Sequence, residues 1–183
     1  MDNHRSSRAD RRVEGFCRKQ RIVVVLYGIL AAAWTGMIFS FSSQDGSESG
    51  ALSSEITHAF LNMLTTVGLA SACNVTPEQF LRIEGIIRTC AHFTEFAVLG
   101  GLVGRLSLWI PCRSIVSKAG RIARWSAPVV LCLLIATTDE LLQLGSPGRA
   151  FQITDILIDL AGSTTGYLIV SSIHLPQWAS PVR

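Results

Sequence analysis

The sequence predicts an all-α protein: an integral membrane bundle of four transmembrane helices, with an amphipathic helix in the first external loop. Three observations predict it. Hydrophobic residues make up 49% of the chain and charged residues 16%, against roughly 25% charged in soluble domains. Apolar runs long enough to cross a bilayer recur four times. Charge is also segregated: of 16 Lys and Arg, seven lie in the first 21 residues and five more between Arg105 and Arg124. A chain of 183 residues has room for one such domain.

The first run, Ile22 to Phe41, holds 20 residues and no charge, which matches a hydrocarbon core about 30 Å thick at about 1.5 Å per residue. The basic flank of Arg18, Lys19 and Arg21 also suits a signal peptide, but the apolar stretch is too long and no small-x-small site follows in SSQDGSESG. The second span runs from about Ile86 to Ile110, the third from about Ala127 to Leu144, and the fourth from about Phe151 to Ile173. Between the first two, Leu52, Ile56, Phe60, Met63, Leu64 and Val67 recur at helical spacing, predicting an amphipathic helix over Ser49 to Leu69 that lies at the membrane surface. Thr76, Pro77 and Gln79 then form the signature of a capping box that starts the helix leading into the second span.

Basic residues set the expected orientation. They crowd the N-terminal tail and the loop holding Arg113, Lys118, Arg121 and Arg124. The connection from Ser42 to Gly85 has only Arg82, and the short third loop only Arg149. Both termini are therefore expected in the cytoplasm of a multi-pass plasma-membrane protein. Residues 1–21 form a basic cytoplasmic tail, 22–173 the transmembrane domain and 174–183 a cytoplasmic C-terminal tail. No Walker, dinucleotide-binding or nucleic-acid signature is present, and topology accounts for the basic tail without a nucleic-acid partner. Cys17, Cys73, Cys90, Cys112 and Cys132 show no metal-type spacing.

The polar residues inside the spans carry the functional signal. Arg88, His92 and Glu95 share one face of the second span, by spacings of four and three. Asp139, Glu140 and Gln143 fall in the half of the third span toward its GSPGR turn, and Asp155 and Asp159 near the start of the fourth. Ser42, Ser43 and Gln44 close the first span at that same level. Each charge at the centre of a membrane helix costs about 2.5–3.5 kcal/mol on insertion scales, so groups gathered in one stratum predict a shared cavity near the outer leaflet rather than scattered exposure to lipid. The tight turn predicts that Arg149 returns toward Asp139 and Glu140. The small-xxx-small pair Gly162 and Gly166 predicts close helix packing within the bundle.

Four ordered stretches, FSFSSQ, RTCAHFTEFAVLG, DELLQLGSPGR and the following ITDILIDLAG, make the chain resemble the VanZ-like membrane protein family over about Phe39 to Gly166. Thr89 stands where many relatives carry a second basic residue, and Asp159 where Asn is frequent, which adds a negative charge. The resemblance implies a polytopic cell-envelope protein, linked in some members to reduced glycopeptide (teicoplanin) susceptibility; it implies no established reaction.

Two functional readings follow. In the first, the cavity binds a lipid or cell-wall-precursor headgroup through Arg88, Arg149, Gln143, Ser43 and Gln44, the bilayer itself being the other partner. In the second, the protein is a membrane-embedded enzyme acting on such a molecule. His92 is then the general base, Glu95 or Asp155 orients it, and Asp139 and Glu140 serve as an acid-base or metal-binding pair. No cofactor and no particular metal is specified by the spacing, and oligomeric state is not readable from the sequence. Proton or ion movement is a third reading, opposed by the apolar inner halves of the spans. In a fourth, the polar groups simply tie the helices together.

Overall fold

The computed structural model describes residues 3–69, 75–109 and 118–173. Five helices follow in chain order: α1 (Asn3–Ser42), α2 (Gly46–Thr66), α3 (Pro77–Trp109), α4 (Lys118–Leu144) and α5 (Ile153–Ser172). Helices α1, α3, α4 and α5 contain the segments long and apolar enough to cross a membrane. The fold is thus the all-α membrane bundle that the sequence predicts. Cys73, Cys112, Arg113 and the C-terminal tail from 174 lie outside the described residues.

Helix boundaries depart from the hydropathy pattern in one direction. α1 begins at Asn3 rather than near Ile22, because the basic tail contains no proline and its charged residues are good helix formers. α3 starts at Pro77 and α4 at Lys118, both ahead of their apolar runs. A hydropathy window locates the part of a helix that suits lipid, and says nothing of where backbone hydrogen bonding stops. At the start of α3 the predicted cap is present: the Thr76 N–H donates to Gln79 Oε1 at 2.9 Å and the Gln79 N–H to Thr76 Oγ1 at 3.2 Å.

α3 and α5 form the most extensive helix pair, and glycine makes it so. A Cβ on Gly162 would run into the Phe93 backbone, one on Gly166 into the Ala97 carbonyl, and one on Gly100 into the Ser163 backbone. Main chains approach this closely only where side chains are missing. Beside this seam sits the apolar core, in which Phe96, Leu99 and Val103 of α3 meet Ile38 of α1 and Cys132 and Ala136 of α4. Trp34 of α1 adds a polar tie, its Nε1–H donating to the Glu95 carbonyl at 2.9 Å.

Much of the remaining apolar surface faces outward. Ile22, Val25 and Ile29 on α1, Val130 and Leu134 on α4, and Leu157 and Ile169 on α5 are all exposed, as lipid-facing positions of a spanning bundle are. α2 obeys the same rule. It turns Ser53, Thr57 and Leu61 toward the rest of the protein and leaves Leu52, Ile56, Phe60 and Met63 exposed. The Ser53 and Thr57 hydroxyls donate to the carbonyls of Ser49 and Ser53 on their own helix, so this small polar stripe packs without unpaired groups. His58 of α2 meets Phe80 of α3 with ring centroids 4.7 Å apart.

Candidate functional site

All four spanning helices contribute polar side chains to one end of the bundle, where α1 ends, α4 turns into α5, and α3 passes its midpoint. The junction is fixed by the turn after α4. Gly148 adopts φ +76°, and the Arg149 N–H donates to the Ser146 carbonyl at 3.2 Å. A positive φ at this position, after Pro147, is the signature of a tight turn that glycine permits. The Pro147 carbonyl then accepts from the Gly46 N–H at 2.8 Å, and Gly46 lies so close to Gly148 that an added Cβ would stand 2.8 Å from the Gly148 carbonyl oxygen. The start of α2 is thereby clasped to the α4–α5 turn. Asp45 caps α2, accepting from the backbone N–H groups of Ser47 at 2.9 Å and Glu48 at 2.8 Å.

Within this end, Asp139, Glu140 and Asp159 are fully buried. Asp139 Oδ1 accepts from Ser42 Oγ at 2.6 Å, and Oδ2 from Gln143 Nε2 at 3.2 Å, one helical turn away. Glu140 points elsewhere: its Oε2 accepts from the Gln152 N–H at 2.7 Å, at the beginning of α5, where the helix dipole favours a carboxylate. Asp159 pairs with His92, Oδ1 lying 3.3 Å from Nδ1. Among the described residues, two buried carboxylate oxygens, Glu140 Oε1 and Asp159 Oδ2, have no hydrogen-bond partner. Ligand atoms of His92, Asp139 and Asp159 all lie within 4.8 Å of one another.

Among the described residues, cavities open around the cluster on several sides. One, about 710 Å³, lies between α3 and the start of α5, and its lining includes Arg82, Arg88, His92, Gln152 and Asp155. A second, about 210 Å³, lies between the end of α1, α2 and α3; Ser42, Gln44, Arg88, His92, Glu95 and Arg149 line it. A third of similar size touches Arg88, Gln143, Arg149 and Gln152. Arg88 borders all three, and His92 the first two.

Arg149 does turn back over the bundle, but onto main chain. Its Nη1 donates to the carbonyls of Phe41 at 3.1 Å and Ser42 at 3.3 Å, capping the end of α1. Among the described residues no Arg or Lys lies within ion-pair distance of Asp139, Glu140, Asp155 or Asp159. Burial, followed by the neighbouring Arg88 charge, holds the Arg149 guanidinium below its ordinary value, against the opposing pull of Asp139, Glu140 and Asp155.

Most of the residues singled out from the sequence meet here. Arg88, His92, Glu95, Gln44, Arg149 and Asp155 line cavities, while Asp139, Glu140 and Gln143 lie inside the hydrogen-bonded cluster. Ser43 does not join them: it is exposed, its hydroxyl donates to the Phe39 carbonyl at 2.7 Å, and Ser42 holds the inward position instead. The partner of His92 is Asp159, where Glu95 or Asp155 was expected. A signal for this existed, since Asp159 lies on the same stripe as Gly162 and Gly166 and so on the face held against α3. The Gln152 contact to Glu140 is made by main chain and leaves no trace in side-chain identity.

Comparison with curated proteins and with solved structures gives no match. The VanZ/LLP1 family pattern matches residues 26–174, from the first apolar span to just beyond α5, and so includes every polar group of the cluster. With four apolar helices long enough to cross a membrane and a match over most of its length, the chain belongs to the VanZ/LLP1 family.

Proposed function

We propose that the protein binds the anionic headgroup of a membrane-anchored amphiphile in the space between the end of α1, α2, α3 and the α4–α5 turn. One observation carries this reading: Arg88 and Arg149 line a common cavity and have no carboxylate within ion-pair distance among the described residues. Two under-neutralised guanidiniums attract a doubly charged group such as a phosphate, and the planar fork of arginine suits its oxygens. Exposed Leu52 and Ile56 beside that cavity offer an apolar path for the attached chain. On the positive-inside argument, both termini are cytoplasmic and the headgroup lies at the outer leaflet. The ligand class is then a phosphate-bearing lipid or lipid-linked cell-wall precursor. Altered glycopeptide susceptibility is the cellular effect that sequestering such a precursor would produce.

The test is lipid analysis of protein purified in mild detergent from its native membrane. Mass spectrometry of the wild type should find phosphate-bearing lipid enriched over the bulk extract, and Arg88→Gln and Arg149→Gln should each lose that enrichment. Copurifying lipid with the bulk composition in all three proteins would overturn the reading.

A second reading rests on a separate observation, the His92–Asp159 pair bordering two cavities. In an enzyme acting on the same amphiphile, His92 is the general base and Asp159 holds its orientation. Incubation in liposomes of native envelope lipid would then yield a covalently changed lipid with the wild type and none with His92→Ala. Enrichment without conversion assigns binding alone.

A further inference from the structure

We propose that His92, Asp139 and Asp159 form a binding site for a first-row divalent cation, with zinc as the best-suited ion. These three residues come from α3, α4 and α5, and their ligand atoms lie within 4.8 Å of one another. The set is chemically coherent: one imidazole nitrogen and two carboxylates are ordinary zinc donors, and two negative charges neutralise a divalent ion.

Geometry supports the assignment. Two donors at about 2.0 Å from a tetrahedral ion stand roughly 3.3 Å apart, and His92 Nδ1 is 3.3 Å from Asp159 Oδ1. Drawing in Asp139 requires a contraction of up to about 1.5 Å, made by a shift of the whole carboxylate together with its Ser42 and Gln143 donors.

An independent observation points to a missing positive partner. Asp159 is wholly buried, and among the described residues its Oδ2 has no hydrogen-bond partner although Oδ1 faces His92. A buried carboxylate oxygen without a donor is costly, and among the described residues no Arg or Lys reaches it. A cation removes that cost. The surroundings also resemble the outer support that metal ligands receive: Ser42 and Gln143 donate to the two oxygens of Asp139 and fix its plane. His92 borders two cavities, so the ion's remaining coordination position faces space that a water or an incoming anionic group can enter.

The site stands apart from the headgroup reading and replaces the general-base role of His92, whose ring nitrogen is then a ligand; its test needs no lipid. Protein purified in detergent is stripped with chelator, titrated with zinc, dialysed against metal-free buffer and assayed for bound metal. Wild type should retain close to one zinc per chain, and His92→Ala and Asp159→Asn should each weaken binding by at least about tenfold. X-ray absorption at the zinc edge of the wild type should report nitrogen and oxygen donors with the scattering of one imidazole, a readout that does not depend on any variant folding. Less than about a tenth of an equivalent of retained zinc in the wild type would overturn the assignment. So would sulfur in its coordination shell, or full retention in a folded Asp159→Asn.

Discussion

Alanine substitution at the glycines should sort by position, and the size of each effect follows from what a new methyl group would meet. At Gly36, on the exposed side of α1, nothing lies within 4 Å. Gly36→Ala removes only the backbone entropy cost of glycine and should gain up to about 1 kcal/mol. At Gly101 the nearest atom is Val170 Cγ1 at 3.5 Å, an ordinary contact, so Gly101→Ala should be close to neutral. At Gly104 the methyl would stand 2.6 Å from Tyr167 Cδ2 and 3.0 Å from Val170 Cγ2. Both are side-chain atoms with some freedom to shift, and overpacking of this kind costs about 1–3 kcal/mol.

Gly166 differs in kind. The methyl would overlap the Ala97 carbonyl and stand 3.0 Å from the Gly101 nitrogen, both main chain, so no rotamer relieves it. α3 and α5 must separate. A gap of 0.5–1 Å forfeits a quarter to a half of each facing pair's dispersion energy, about 0.05 kcal/mol per pair. If the seam holds on the order of 60 such pairs, as many as one buried leucine makes, the loss is about 3 kcal/mol. Reversible unfolding in mixed micelles of rising SDS content, followed by tryptophan fluorescence, measures the series. Equal stabilities for Gly166→Ala and Gly36→Ala would refute the close backbone seam and the placement of α5 that depends on it.

Other perturbations give sharp expectations. Ser42→Ala removes the donor 2.6 Å from buried Asp139 Oδ1 and should cost about 1.5–3 kcal/mol in the same assay; a loss below about 0.5 kcal/mol would show that the hydroxyl does not serve Asp139. The Ser47 hydroxyl, and then the Glu48 N–H, hold the Asp45 carboxyl below the usual aspartate range. Its folded value is lower than its unfolded one, so the cap's contribution is fully present above about pH 4 and is lost as pH falls through the folded value. Amide exchange at Ser47 and Glu48, corrected for intrinsic rates, should therefore lose protection on acidification in the wild type. A change of the same size in Asp45→Asn would contradict that origin.

The sequence discloses different parts of this molecule unequally, for physical reasons. The spans are plain because lipid selects for apolar residues over a length the bilayer sets, and the capping box at Thr76 is plain because its geometry is local. The convergence of Arg88, His92, Asp139 and Asp155 at one end was inferable from depth: insertion cost discourages solitary charges, and antiparallel helices bring equal depths together. Which partners touch was not inferable. Depth fixes a stratum but leaves rotation about each helix axis open, and the α3–α5 glycines set that rotation here. It brings Asp159 to His92 and leaves Glu95 and Asp155 at cavity walls. Arg149 shows another limit. Charge complementarity points it at the acids, whereas unsatisfied carbonyls at the end of α1 compete for the same guanidinium and hold it.

The clasp between Gly46 and Pro147 has a consequence for biogenesis. Its two halves are separated by α2 and two of the four spanning helices, α3 and α4, and the Ser42–Asp139 bond likewise joins residues 97 positions apart. During synthesis α1 and α2 leave the ribosome long before α4 and the turn after it exist, so neither contact can form until that third spanning helix has been made. The polar end of the bundle is therefore assembled last. In a chain halted before α5, Glu140 lacks the Gln152 N–H and His92 lacks Asp159, so these polar groups of the bundle stay without their final partners until the last helix arrives.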